Sequence, residues 1–196
     1  MKIIGINGSP HEDGNTAFLL NKALEAIEEK GAETQVLHIK KPLAELETPF
    51  CVHCSSPCDQ SCYQGTLLAE YFAMMAEADG IILASPVYFG TVSAQLKSFW
   101  DMTRALRTEE ALFNTVGGAI AVGASRFGGQ ETTIRALQDM MLVQGMTIVG
   151  DGAKGESVGH QGVCGQQEAK ADKTAQQEAV NLGQRIFQVA HNLNEK

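Results

Sequence analysis

Four of the five cysteines lie within a stretch of twelve residues, at Cys51, Cys54, Cys58 and Cys62. Their spacing, C-x2-C-x3-C-x3-C, is typical of compact runs whose thiolates ligate a [4Fe-4S] cluster. Zinc is an alternative, although structural zinc sites usually draw on two separated cysteine pairs. A pair of disulfides and a loop without any metal are further alternatives. The spacing predicts that these four cysteines are metal ligands and favours [4Fe-4S], but it leaves the metal open.

A second candidate site lies in the polar segment that follows the first predicted strand, residues 2–7. The helix predicted next would begin with unpaired backbone N–H groups and the positive end of its dipole, a combination that binds phosphate. Ser9, Asn15 and Thr16 add short donors on either side of Gly14. The segment lacks the P-loop and G-x-G-x-x-G signatures. It predicts a phosphate site built on amides; the alternative is a tight turn with Asn15 or Thr16 as an ordinary N-cap.

Two further loops follow the third and fourth predicted strands and contain candidate ring-binding residues. In the first, Pro86 and Val87 precede two aromatic residues, Tyr88 and Phe89, and Gly90 permits close approach of backbone to ligand. The alternative for this loop is that its aromatic side chains cap the core. The second loop offers small residues and backbone donors at Ser125, Gly128 and Gly129. A phosphate at one loop and a flat ring at two others describe flavin mononucleotide (FMN).

The elements that must position these loops alternate between strand and helix along the chain. Apolar runs predict strands at residues 2–7, 33–39, 79–84, 118–124 and 146–149. Helical periodicity predicts helices at residues 16–30, 67–78, 94–106, 130–144 and 169–192. This alternation predicts a three-layer, doubly wound α/β fold with a five-stranded parallel sheet in the flavodoxin-like order 2-1-3-4-5. All three loops then meet at the carboxyl edge of the sheet, where open α/β sheets bind ligands.

Length and composition restrict the organisation and the partners. The 196 residues predict a single domain, with a cysteine-rich insertion at about 41–66 and a glycine-rich loop at about 150–168. A net charge of −8 disfavours nucleic-acid and anionic-membrane partners. The chain shows no signal peptide and no apolar run near the ~20 residues of a membrane span. We therefore expect a cytoplasmic protein, in which clustered cysteines serve metal or redox chemistry.

The motifs GSPHEDGNT, SPVYFGTVSAQLKSFWD and GGQETT resemble those of the flavodoxin-like NAD(P)H-dependent FMN reductases, and the cysteine cluster resembles that of the iron–sulfur flavoproteins. The resemblance covers about residues 1–150. It implies that Ser9, His11, Asn15 and Thr16 grip the FMN phosphate, where many relatives have an arginine in place of His11. It also implies that residues 86–90 surround the isoalloxazine ring, with Ser125, Gly128 and Gly129 in the third loop.

This resemblance implies an FMN-dependent oxidoreductase that moves electrons from ferredoxin or NAD(P)H to a small-molecule or small redox-protein acceptor. It further implies a homodimer or homotetramer in which the cluster approaches the flavin of a neighbouring subunit. No side chain is identified as a catalytic acid or base, since the chemistry belongs to the flavin. Two alternatives stay open: a cluster-free NAD(P)H-dependent FMN or quinone reductase, and a non-catalytic FMN- or metal-binding sensor.

Overall fold

The computed structural model describes residues 1–194, which form six strands and seven helices. The strands are β1 (Lys2–Asn7), β2 (Glu33–His38), β3 (Gly80–Pro86), β4 (Val116–Gly123), β5 (Thr147–Ile148) and β6 (Val163–Gln166). The helices are α1 (Asn15–Glu28), α2 (Lys40–Ala44), α3 (Leu67–Ala76), α4 (Ala94–Asp101), α5 (Arg104–Thr108), α6 (Gln130–Leu142) and α7 (Lys173–Asn194).

All strand pairs are parallel, and the sheet has the order β2-β1-β3-β4-β5, which confirms the predicted doubly wound order. Helices α1 and α7 cover one face, and helices α2 to α6 cover the other. The central strands read as continuous apolar runs because both of their faces are buried. In β1, for example, Ile3 packs on the α1–α7 side, whereas Ile4 and Ile6 pack on the opposite side.

The edge position beyond β4 differs from the prediction, which placed one strand there followed by a long loop. Strand β5 pairs with the first half of β4, at Val116 and Gly117, and β6 pairs with the second half, from Ile120 to Gly123. An excursion, residues 149–162, separates the two. The sequence pattern missed β6 because four residues that include Gly165 show no strand periodicity of their own; pairing with β4 supplies the conformation.

The predicted helix at residues 94–106 is also wrong in one respect, since it breaks into α4 and α5. At the break, the Thr103 hydroxyl donates to the Trp100 carbonyl at 2.7 Å and lies 2.6 Å from the Gln144 amide nitrogen. A tertiary partner therefore holds Thr103 in a turn, and the local sequence does not reveal it. No helix among residues 1–194 has the length and apolar content needed to cross a membrane.

Candidate functional site

Strand register brings the three candidate loops to one edge of the sheet. Asn7 at the end of β1 lies beside Ala84 of β3, and Pro86 at the end of β3 lies beside Val122 of β4. We call the loops that follow these strands loop 1 (residues 8–14), loop 2 (residues 87–93) and loop 3 (residues 124–129). The sheet thus places the predicted phosphate and ring segments side by side.

Loop 1 is organised by Asn7, which is fully buried. Its side-chain oxygen accepts from the Ser9 N–H at 3.0 Å, and its amide nitrogen donates to the His11 carbonyl at 3.2 Å. The Ser9 hydroxyl in turn accepts from the His11 N–H at 3.1 Å. Ser9 is buried within this network, whereas the His11 residue is exposed. Sequence reasoning missed Asn7; a polar residue ending a buried apolar strand is the signal for it.

The start of α1 keeps free donors at the same edge. No side chain caps Gly14, and the first backbone bond of the helix runs from the Phe18 N–H to the Gly14 carbonyl. The side chains of Thr66 and Ser93, by contrast, cap α3 and α4. The uncapped first turn of α1, which includes buried Thr16, therefore leaves its N–H groups for an anionic group.

Asn15 also forms a long-range hydrogen bond that the sequence did not predict. Its side-chain oxygen accepts from the Ala169 N–H at 2.9 Å and ties the start of α1 to the segment between β6 and α7. The segment that follows β6 is therefore attached to the first residue of α1. Asn15 consequently offers a phosphate its side-chain NH2 and backbone amide rather than its oxygen.

Loops 2 and 3 touch each other at two glycines. A Cβ on Gly129 would lie 3.0 Å from the Gly90 Cα, and Gly129 has a φ of 93°, which side chains rarely adopt. The Thr132 hydroxyl, from the first turn of α6, donates to the Gly90 carbonyl at 2.7 Å. Like α1, helix α6 begins at a glycine without a side-chain cap. Thr132 was not among the predicted residues, although it lies within the GGQETT motif.

Two serines join loop 2 to loop 1 and to the end of β3. The Ser93 hydroxyl donates to the Gly8 carbonyl at 2.6 Å, and the Ser93 N–H donates to the Ser85 hydroxyl at 3.0 Å. Both serines are fully buried. The three loops consequently form one hydrogen-bonded unit rather than three independent turns.

The aromatic residues of the loops project from this unit. Tyr88, Phe89 and Phe127 are all exposed, so the alternative in which Tyr88 and Phe89 cap the core is wrong. Phe89 and Phe127 have positive φ angles of 49° and 58°. The Arg126 guanidinium lies 4.9 Å from the centre of the Phe127 ring. Three aromatic rings therefore flank the crevice edge.

All four clustered cysteines line one cavity of about 270 Å³. Apolar side chains from Phe50, Val52, Tyr63 and Met102 share its wall. Within residues 1–194, no three of the four sulfurs lie within 4.8 Å of one another. Tetrahedral zinc would hold its sulfurs about 3.8 Å apart. The thiols therefore line one cavity without the close spacing of a formed zinc site, and a [4Fe-4S] cluster takes four such thiolates.

Arg104 of α5 closes the cysteine cavity and was missed because the sequence placed it inside a continuous helix. Its guanidinium lies 4.0 Å from the Cys51 sulfur and 3.3 Å from the His53 ring, and it donates to the Ser55 carbonyl at 3.1 Å. Burial, followed by the charges of the neighbouring thiols, Cys54 first, raises the pKa of Cys62. The cavity thus combines one fixed cation with four thiols.

Comparison with known proteins identifies the family of this chain. The family model for NADPH-dependent FMN reductases matches residues 1–160. The chain belongs to the NADPH-dependent FMN reductase family. An iron–sulfur flavoprotein of Methanocaldococcus jannaschii is 44% identical over 96% of this chain and 97% of its own length. An iron–sulfur flavoprotein of Methanosarcina thermophila is 42% identical over 77% and 78% of the two chains.

Solved structures share the fold of this FMN reductase family member at low sequence identity. A WrbA-like flavodoxin from Agrobacterium tumefaciens has a TM-score of 0.70 at 18% identity and covers 97% of this chain and 98% of its own. RosB, solved with a bound intermediate, has a TM-score of 0.78 at 14% identity, covering 100% and 81% of the two chains.

The family establishes this flavoprotein as an FMN-dependent oxidoreductase and confirms the resemblance seen in its motifs. FMN is its cofactor. The uncapped first turn of α1 fits the phosphate, and the crevice edge flanked by loops 2 and 3 fits a flat ring.

Proposed function

We propose that this flavoprotein transfers electrons between ferredoxin or NAD(P)H and an acceptor through FMN and a [4Fe-4S] cluster. The observation that carries the proposal is the convergence of Cys51, Cys54, Cys58 and Cys62 on one cavity. The names of the iron–sulfur flavoprotein relatives support the same assignment. The donor and the acceptor are small molecules or small redox proteins.

We assign FMN binding to the three loops. The phosphate group is held at loop 1 and the start of α1, by Ser9, His11, Gly14, Asn15 and Thr16. The ring is held at loops 2 and 3, by Pro86, Val87, Tyr88, Phe89, Gly90, Ser125, Gly128 and Gly129. When bound, FMN supplies one- and two-electron redox chemistry. The uncapped N-terminus of α6 offers its N–H groups to negative charge on the ring.

No catalytic acid or base is assigned, because the chain's task at this site is to bind and orient. The bond from Thr132 to Gly90 fixes the relative position of loops 2 and 3, and the bond from Ser93 to Gly8 fixes loop 2 against loop 1. A crevice held in this way presents its donors in place before the cofactor arrives.

Within one chain, none of the residues that line the cysteine cavity belongs to loops 1 to 3. We infer a homodimer or homotetramer in which the cysteine cavity of one subunit faces the FMN crevice of another. The exposed aromatic residues of the crevice edge supply apolar surface for such contact. The unpaired, clustered thiols also fit a reducing compartment, which supports a cytoplasmic location.

Anaerobically purified protein tests the proposal through its absorption spectrum before and after dithionite, with iron and sulfide analysis. We expect one FMN and about four iron atoms and four sulfides per chain. Cys54→Ser should lose the iron and retain FMN. Absence of iron and sulfide after reconstitution would overturn the cluster assignment. The family model favours one alternative, a cluster-free NAD(P)H-dependent FMN or quinone reductase. Such a protein would contain no iron, and NAD(P)H alone would bleach its flavin absorbance.

A further inference from the structure

Three potential metal ligands converge near β6, and none of them is among the residues of the two sites described above. They are Asp151 and His160 of the excursion and Glu178 of α7, and their ligand atoms all lie within 4.8 Å of one another. Asp151 is only 2% exposed. The cluster therefore combines a buried carboxylate, a partly buried carboxylate and an exposed imidazole.

The backbone of the excursion builds this arrangement. The two arms of the excursion run so close that a Cβ on Gly150 would lie 2.0 Å from the His160 carbonyl oxygen, and one on Gly152 would lie 2.3 Å from the Val158 carbonyl oxygen. The backbone leaves no room for a side chain at Gly150 or Gly152, so Asp151 is flanked by two positions that require glycine. The His160 N–H donates to its Oδ1, so the carboxylate is held beside the residue that supplies the imidazole.

Backbone N–H groups of His160 and Cys164 donate to Asp151 and Glu178, but neither carboxylate has a cationic side chain within ion-pair distance in the described part of the chain. Among residues 1–194, no lysine, arginine or histidine forms an ion pair of 4.0 Å or less with Asp151 or Glu178. The His160 ring therefore lies near the two carboxylates without pairing with either. Two neighbouring carboxylates, one of them buried, repel each other, and a cation bound by both of them and by the imidazole would relieve that repulsion.

We propose that Asp151, His160 and Glu178 bind a divalent cation. One imidazole and two carboxylates suit Mn²⁺, Fe²⁺ or Zn²⁺, and the oxygen-rich set accepts a hard ion that thiolates bind poorly. The bound ion would fasten the excursion to α7. It would also brace β6, whose Gly165 carbonyl accepts from the Gln130 side chain at the end of loop 3. The site does not depend on the FMN or cluster assignments.

Titration of the purified holoprotein with Mn²⁺ tests the proposal, because the thiolates of the cysteine cavity bind Mn²⁺ poorly. Electron paramagnetic resonance of the free aqua ion reports the bound fraction. We expect one saturable site per chain. Its affinity should fall about tenfold or more in Glu178→Gln and in His160→Gln. Glu156→Gln, on the same excursion but outside the cluster, is the matched control and should bind like the wild type, as should Cys54→Ser.

Either of two results would overturn the site: no saturable binding up to about 1 mM Mn²⁺, or wild-type affinity in both Glu178→Gln and His160→Gln. Retention of FMN absorbance shows that each variant is folded. Because His160 is exposed, its substitution keeps the test valid if Glu178→Gln fails to fold.

Discussion

The guanidinium of Arg104 lies 4.0 Å from the sulfur of Cys51, and the same group binds the Ser55 carbonyl. Arg104 therefore holds the segment that contains the cysteines and places a positive charge at one wall of their cavity. A hydrogen bond or a positive charge beside a cluster thiolate stabilises the reduced cluster. This relationship makes Arg104 a positioning residue for whatever the cysteines bind.

Arg104→Met should lower the reduction potential of the cluster and speed its loss in air, because the bond to the Ser55 carbonyl and the positive charge are both removed. Redox titration followed by electron paramagnetic resonance measures the potential, and iron release measures cluster stability. Arg107→Met, an exposed arginine on the same helix, is the matched control. Equal potentials and equal iron release in wild type and Arg104→Met would contradict the role.

Gly129→Ala should weaken FMN binding by about tenfold or more. The left-handed φ of 93° costs an alanine about 1–2 kcal/mol, and the new Cβ would press on Gly90 in loop 2. Gly155→Ala separates the two effects, because Gly155 has a φ of 91° but no neighbour within 4 Å of a new Cβ. Fluorescence titration of apoprotein with FMN should show normal affinity for Gly155→Ala. A similar loss in both variants would show that the loop contact is irrelevant.

Ser93→Ala should lower the free energy of unfolding by about 1–3 kcal/mol, since it removes the N-cap of α4 and a buried bond to Gly8. It should also weaken FMN binding, because loops 1 and 2 lose their link. Thr66→Ala removes the N-cap of α3 and a local bond to the Tyr63 carbonyl, and it should destabilise by about 1 kcal/mol with unchanged FMN affinity. Urea unfolding and FMN titration measure the two quantities, and an unaffected FMN affinity in Ser93→Ala would refute the link.

Cys164 should react slowly with iodoacetamide although the residue is exposed. Burial of the thiol, followed by the charges of Glu178, Glu131 and Asp151, raises its pKa from 9.0 to about 11. Since the thiolate is the nucleophile, alkylation at pH 8 of protein treated with a chelator, which leaves Glu178 and Asp151 charged, should be about 100-fold slower than in an unstructured peptide of the same sequence. The rate should rise as pH increases towards 11. Peptide mass spectrometry measures the modification; a peptide-like rate at pH 8 would disprove the prediction.

Glu178→Gln tests whether nearby carboxylates contribute to the raised pKa of Cys164. Removing the carboxylate with the largest effect should lower the pKa of Cys164 and raise its alkylation rate at pH 8. Lys173→Gln, at the exposed start of the same helix, should leave the rate unchanged.

Much of the fold followed from local patterns. β1 has the predicted bounds, and the buried cores of β3 and β4 were recognisable because their apolar runs are continuous. The four cysteines were recognisable as a set because twelve consecutive residues contain them all. Strand order followed from alternation and from the handedness of parallel crossovers. These features depend on residues that are close in sequence.

The tertiary structure decided the features that depend on distant partners. β6 is a strand because β4 offers it hydrogen bonds, and the turn between α4 and α5 exists because Gln144 holds Thr103. Asp151 and Glu178 are twenty-seven positions apart and meet only after the excursion folds back on α7. The sequence by itself determined the α/β order and the cysteine set and predicted the three candidate loops, since periodicity and spacing are local properties. Only the folded chain could bring together the side chains that brace them, because burial and convergence depend on contacts across the whole sheet.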